Sequence, residues 1–351
     1  MDRQILIREE RGIRRRVLTG VALAAAGVGL IWVLRLIEWK EFIADLVFID
    51  WKWVVPAVAF DILSYLVQAL RWNYVLKPLG SPSVVRSTQA IYVGLFTNEI
   101  LPLRSGEVVR AYLVSQWTGL GFSVTLSSVA IERLLDAIWL AIGFGITALL
   151  VTLPPAIRTG AQVLGAFVLV ATGLLIAVLA FGLRVTHALE RTRAGGRGVL
   201  SAFLHFLDRL LEGLQTIGHS ASLYWAVATS LLLLVTQILA LWAMMWSYGL
   251  YHSFWVASAV LLILHLGTAI PNAPANIGSY QVSCVAALLI FGVDKTTAAE
   301  FSLVMFVILT VPLLVIGAAA VLFSGLSIGD IRRHVRGRAA VLRPEKQESG
   351  V

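Results

Sequence analysis

Apolar runs of about twenty residues, separated by short polar stretches, set the rhythm of this chain. Six of them, at about 17–37, 54–71, 129–153, 161–183, 223–247 and 298–324, are long enough to cross ~30 Å of hydrocarbon as helices. Trp39, Trp51, Trp53, Trp72, Trp225 and Trp246 stand at their flanks, where an aromatic belt belongs. The pattern changes over 199–218. There Leu200, Phe203, Leu204, Leu207, Leu210, Leu211, Leu214 and Ile217 recur at helical spacing, opposite His205, Asp208, Arg209, Glu212 and Gln215. Such a face predicts an amphipathic helix lying on the membrane or on the bundle.

Two further apolar regions are interrupted. Residues 88–101 run into L-P-L-R-S-G-E at 101–107 and resume to about 118; residues 255–270 run into P-N-A-P-A-N-I-G at 271–278 and resume to about 292. Proline removes a backbone donor and glycine relaxes the chain, so a helix breaks at each place. Arg71, Lys77 and Arg86 mark the 71–87 loop as cytoplasmic, together with both termini and the 184–198 loop. Parity then makes 88–118 dip in from the cytoplasm and 255–292 from outside. Two short full spans in each region would satisfy the same parity. Opposed broken segments are the mark of an inverted-repeat transporter with a site near the midplane. Pro102-x3-Gly106 against Pro274-x3-Gly278 is the faint residue-level echo of such a repeat.

Composition narrows the class. The chain has 351 residues, 58% of them hydrophobic and 14% charged, with a mean hydropathy of +0.85. Soluble domains carry about 25% charged residues, so one large water-soluble helical core is excluded. The net charge of +8 is clustered, in Arg3 to Arg16, in Arg184, Arg191, Arg193 and Arg197, and in Arg332 to Lys346. Basic clusters beside apolar spans follow the positive-inside rule and meet anionic headgroups; nucleic acid is not the expected partner. The stretch Val17–Leu34 lacks a small-residue cleavage motif and is expected to be an uncleaved signal anchor. Cys284 is the only cysteine, which excludes an intrachain disulfide and a cysteine metal site. The histidines show no metal-like spacing and no catalytic or nucleotide-binding motif is present, so no cofactor and no enzyme activity are expected.

Charge at membrane depth costs about 2.5–3.5 kcal/mol per residue on insertion scales and usually serves function. The first broken segment holds Asn98, Glu99, Arg104, Glu107 and Arg110 within one short stretch, and I-E-R-L-L-D follows with Glu132, Arg133 and Asp136. Glu107 and Arg110 share a helix face; so do Glu132 and Asp136, while Arg133 points elsewhere. Arg104, Arg110 and Arg133 are candidates to cradle a phosphate, since guanidinium forks match phosphate oxygens. The break at Gly106 would expose backbone N–H groups to the same anion. The carboxylates would position the arginines or take up protons. The structural alternative is that these groups only join two helices, Glu132 with Arg133 first among them. The second segment is polar but uncharged, through Asn272, Asn276, Ser279, Tyr280 and Gln281. These line a wet cavity, bind a headgroup, or merely satisfy carbonyls freed by Pro271 and Pro274. Asp61 and Gln68, seven apart on one face, are placed in the same cavity.

The runs N-E-I-L-P-L-R-S-G-E-V-V-R (98–110), I-E-R-L-L-D (131–136) and I-P-N-A-P-A-N-I-G-S-Y-Q (270–281) resemble the lysylphosphatidylglycerol synthase transmembrane, or flippase-like, family over roughly residues 15–325. The family tends towards P-G-G-I-G-x-x-E in the third run, where this chain has Ala275, Asn276 and Gln281. The resemblance implies movement between leaflets of an anionic or aminoacylated phospholipid, or of a polyprenyl-phosphate-linked lipid. Family members with synthase activity carry a large soluble domain after the membrane part, so the short tail here implies the flippase half alone.

The expectation is therefore an all-α polytopic membrane protein, with about six full spans and two opposed re-entrant helical hairpins in an inverted-repeat-like arrangement. Residues 1–16 form a basic cytoplasmic N-terminus, 17–325 one transmembrane domain, and 326–351 a basic cytoplasmic tail, in the cell (inner) membrane. Its partners are membrane lipids with anionic headgroups and a glycosyltransferase or lipid-synthesis enzyme; no oligomeric state is implied. The rival functions are a non-transporting accessory protein that binds lipid-linked sugars for a membrane glycosyltransferase, and a lipid-modifying membrane enzyme.

Overall fold

A computed structural model of the chain describes residues 27–40, 42, 49–80, 82–101, 105–151, 216–217, 220–269 and 273–324, with isolated positions between 155 and 173. The three basic clusters, the span at 161–183 apart from those isolated positions, the amphipathic segment 199–215, and Arg104 and Asn272 lie outside the described residues. Within them the longer helices are α1 Trp51–Gly80, α2 Val84–Ile100, α3 Gly106–Thr118, α4 Phe122–Leu150, α5 Ser222–Ser247, α6 Phe254–Thr268, α7 Ser279–Ile290 and α8 Lys295–Phe323. Residues 27–34 are helical too. No strand occurs among the described residues.

Helix starts obey local chemistry. Ser83 accepts from the Arg86 N–H at 3.3 Å, Ser253 from Val256 at 3.3 Å, and Asp294 from Thr297 at 2.9 Å. Each oxygen satisfies one of the donors that a first turn leaves open. Four helices, α1, α4, α5 and α8, are long and apolar enough to cross a membrane. Their outer faces expose Leu66, Ile146, Leu149, Leu232, Val311, Val315 and Leu322. In water this surface would cost about 25 cal/mol per Å²; in hydrocarbon it costs nothing.

α1 and α5 form the most extensive pair. They run antiparallel: the Asp50 N–H before α1 donates to the Ser247 carbonyl at the end of α5. A core of Trp53-flanked Met244, Met245, Leu264, Cys284 and Phe301 gathers α6, α7 and α8 at one end of this pair. A second core, of Trp72, Leu76, Ile91, Leu113, Leu135 and Ala226, gathers α2, α3 and α4 at the other. The two helix–break–helix units, α2–α3 and α6–α7, thus sit at opposite ends of one helix pair, and the break of the second touches α2.

Two expectations need correction. Arg71 does not lie in a loop: α1 runs on through Pro78, whose missing donor falls in the last turn, and ends only at Gly80. Trp72 is not an interfacial anchor but a fully buried core residue.

Candidate functional site

Glu132 and Asp136 lie one turn apart on α4, and both face α1. Arg71 Nη2 meets Glu132 Oε1 at 3.3 Å, Arg71 Nη1 donates to Asp136 Oδ1 in a shorter bond, and Arg71 Nη1 reaches Ser230 Oγ on α5 at 3.4 Å. From α3, Arg110 Nη2 approaches the other Glu132 oxygen, Oε2, at 2.7 Å. One carboxylate therefore joins two guanidiniums. Arg71, Arg110 and Glu132 are 1%, 3% and 0% exposed. Glu132 pairs with these two and not with Arg133, which sits 3.4 Å from Asp136 with its side chain 42% exposed. The Trp72 ring lies 4.7 Å beneath the Arg110 guanidinium, and its indole N–H donates to Ser128 Oγ at 2.9 Å. The ring quadrupole adds attraction on a face where Arg110 has no acceptor.

A buried ion pair repays desolvation only if the remaining donors find partners. Arg71 nearly achieves this. Arg110 does not: its contact with Glu132 lies outside hydrogen-bond geometry, and its Nη1 has no hydrogen-bond partner. Both arginines line a partly open cavity of about 560 Å³ bordered by α1 to α6. An unmatched guanidinium fork against such a space attracts an anion with paired oxygens.

Of the predicted residues, Asn98, Gly106, Glu107, Arg110, Arg133 and Asp136 line this cavity, with Glu132 behind them as the shared counter-charge. Asn98 also does structural work, since its Oδ1 accepts from the Gly106 N–H at 2.7 Å and ties the end of α2 to the start of α3. A Cβ at Gly94 would meet the Gly106 carbonyl oxygen at 3.0 Å, so the two backbones touch there. Glu99 is not in the lining; it lies near Tyr65 and Tyr280. Asp61 hydrogen-bonds Tyr65, and only Gln68 of that expected pair reaches the cavity.

The second hairpin's polar residues serve its own turn. Gln281 Oε1 accepts from the Gly278 N–H at 2.7 Å and closes the start of α7, Ser279 Oγ donates to the Asn276 carbonyl at 2.9 Å, and the Tyr280 ring packs 5.3 Å from Phe306. None of Asn276, Tyr280 and Gln281 lines the cavity. Ala275 and Asn276 have φ of 57° and 52°, the left-handed region that costs a residue with a Cβ roughly 1–2 kcal/mol, asparagine less than most. Ala275→Gly is expected to raise stability by about 1 kcal/mol, since relief of the Cβ clash outweighs the added freedom of the unfolded chain. Thermal denaturation in detergent checks this; an unchanged or lower midpoint would show that the turn is unstrained.

Arg71, Gln237 and Trp139 also line the cavity and were not anticipated as site residues. Gln237, a lone amide in the run L-L-V-T-Q-I-L-A, carried the signal of any polar group at membrane depth. Arg71 carried it as well once α1 is continued past it to Gly80.

Long helices with exposed apolar outer faces around a charged cavity define a polytopic helical membrane protein. Residues 17–317 match the lysylphosphatidylglycerol synthase TM region, and the chain belongs to that family. It is 26% identical to a UPF0104 membrane protein of Methanothermobacter thermautotrophicus over 88% of this chain and 94% of that one. It is 24% identical to a UPF0104 membrane protein of Methanocaldococcus jannaschii over 72% of this chain and 79% of that one. The glycosyltransferase AglD of Haloferax volcanii is 28% identical over 37% of this chain and 21% of its own length. No solved structure matches the chain.

Proposed function

We propose that this protein moves an anionic lipid, a phospholipid or a polyprenyl-phosphate-linked lipid, between the leaflets of the cell membrane, with no covalent chemistry of its own. One observation carries the reading: a buried arginine, Arg110, with an unmatched Nη1 at the wall of a cavity among lipid-facing helices. The phosphate docks on Arg110 while the acyl or prenyl tail stays in hydrocarbon. Charge then never crosses the apolar core unaccompanied. The short helices α2, α3, α6 and α7, of 17, 13, 15 and 12 residues, fall below the ~20 residues of a span. In this reading they are re-entrant hairpins dipping from opposite leaflets, with both termini cytoplasmic. Such opposed pairs support alternating access about a central site.

The test is a liposome assay with the purified protein and acyl-labelled fluorescent phosphatidylglycerol, bleached from outside by dithionite. Wild type should render the inner-leaflet label bleachable. Arg110→Lys keeps a cation opposite Glu132 but loses the fork, so transport should fall about tenfold or more with folded yield preserved. Protein-free leak rates with wild type, or full transport by Arg110→Lys, would refute the proposal. The likeness to AglD favours a second reading, in which the chain binds a lipid-linked sugar and hands it to a membrane glycosyltransferase. Binding without movement in the same liposomes would select it.

A further inference from the structure

The cavity lining beyond its charged groups is not simply apolar. Gln68 on α1 and Gln237 on α5 both belong to it, and neither amide hydrogen-bonds to any described residue. Trp139 of α4 adds an indole to the lining. Both side chains are half-buried and open onto the cavity, and amides held at membrane depth beside such a space are there to meet what enters it.

The chemistry of that partner follows from what each group offers. A primary amide presents two N–H donors and one carbonyl acceptor. A phosphate presents only acceptors, and would leave both amide carbonyls unmatched. An ammonium presents only donors and requires a carboxylate. Here Glu132 is held by Arg71 and Arg110, Asp136 by Arg71 and Arg133, and Glu107 is itself engaged. Hydroxyl groups donate and accept at once, and match an amide in both senses. An aromatic wall suits the C–H face of a ring polyol. At about 560 Å³ the cavity falls within the ~300–1,000 Å³ of small-molecule sites and has room for more than a bare phosphate.

We infer that the cavity selects phosphate-linked polyol headgroups, sugars or inositol-like rings, with Arg110 on the phosphate and Gln68, Gln237 and Trp139 reading the hydroxyls. The inference deepens the translocation proposal and rests on it for the guest being a lipid. The full-length protein in mild detergent would be offered equal amounts of phosphatidylinositol, phosphatidic acid and lysylphosphatidylglycerol, with retention read by native mass spectrometry. Inositol 1-phosphate would be added as a soluble competitor. Acyl-labelled forms of the lipids would be followed in liposomes. Phosphatidylinositol should be retained about tenfold over the other two, the equivalent of two or so satisfied hydrogen bonds. Gln68→Leu with Gln237→Leu should erase the preference, bringing retention of phosphatidylinositol down to that of phosphatidic acid. Leucine is an apolar residue of similar size, and each single variant carries the same test with a smaller change should the pair not fold.

Equal retention of the three lipids, or a preference that survives both leucines, would overturn the inference. So would displacement of the lipid by an equimolar amount of inositol 1-phosphate, which would make the guest a free solute. Lipids that move without discrimination would leave translocation standing and remove the headgroup assignment. A retained preference without movement would do the reverse.

Discussion

Glu132→Gln should cost the protein about 3–5 kcal/mol, enough to take most of it out of the folded population. The substitution is nearly isosteric, so packing is not the cause. Glu132 is fully buried and supplies one oxygen to Arg71 and the other to Arg110. A neutral amide leaves two buried guanidiniums facing each other, with Asp136 beside Arg71 and Glu107 near Arg110 as the remaining counter-charges. Like charges in a low-dielectric interior repel strongly, and the desolvation of both arginines is no longer offset. Asp136→Asn provides the contrast. Asp136 is 34% exposed at the cavity, and Glu132 still serves Arg71, so a smaller loss is expected. The measurement is the monodisperse yield and thermal midpoint in detergent. Adding Arg110→Met to Glu132→Gln removes one of the stranded cations and should recover part of the loss, as a double-mutant cycle would register. A Glu132→Gln protein with wild-type stability would mean that the bridge does not support the fold.

The helices and the broken segments could be read in advance because their signals are local. Apolar runs set α1, α4, α5 and α8, and the proline–glycine breaks set the ends of α2 and α6 to within a few residues. The shared face of Glu132 and Asp136 follows from one helical turn, and Arg71 bonds both. What could not be read was which distant residues complete the charge balance. Arg71 is separated from Glu132 by 61 positions in the chain, and its position beside basic Lys77 and Arg86 imitated a cytoplasmic loop. No periodicity in α1 tells which helix will supply its counter-ion. The second hairpin shows the converse. Its polar residues look like a binding site in sequence, yet Gln281 is consumed in closing α7 and Asn276 sits in a left-handed turn. A polar run beside prolines serves the backbone first, because every N–H and C=O at membrane depth needs a partner. A glutamate at position 281 would offer the same acceptor. As a cap only the acceptor oxygen matters, so the local geometry is the same with or without the charge.

Gly106→Ala should be as damaging as the loss of Glu132, by a purely steric route. Gly106 is the first residue of α3, and a Cβ built on it would overlap the Gly94 carbonyl oxygen and meet Asn98 Oδ1 at 2.7 Å. The first obstacle is helix backbone, which cannot rotate away as a side chain can. α2 and α3 would have to separate, breaking the hydrogen bond from the Gly106 N–H to Asn98 and withdrawing Arg110 from Glu132. Overpacking of this kind costs about 3 kcal/mol or more where nothing flexible can yield. A control is available in α4, where Gly145 has nothing within 4 Å of an added Cβ. Gly145→Ala should be neutral or stabilising by up to about 1 kcal/mol, through helix propensity alone. Both variants would be compared for thermal midpoint and for lipid movement. Should Gly106→Ala fold and transport as well as Gly145→Ala, the close backbone crossing at Gly94 and Gly106 would not be what holds the first hairpin against the arginine cavity.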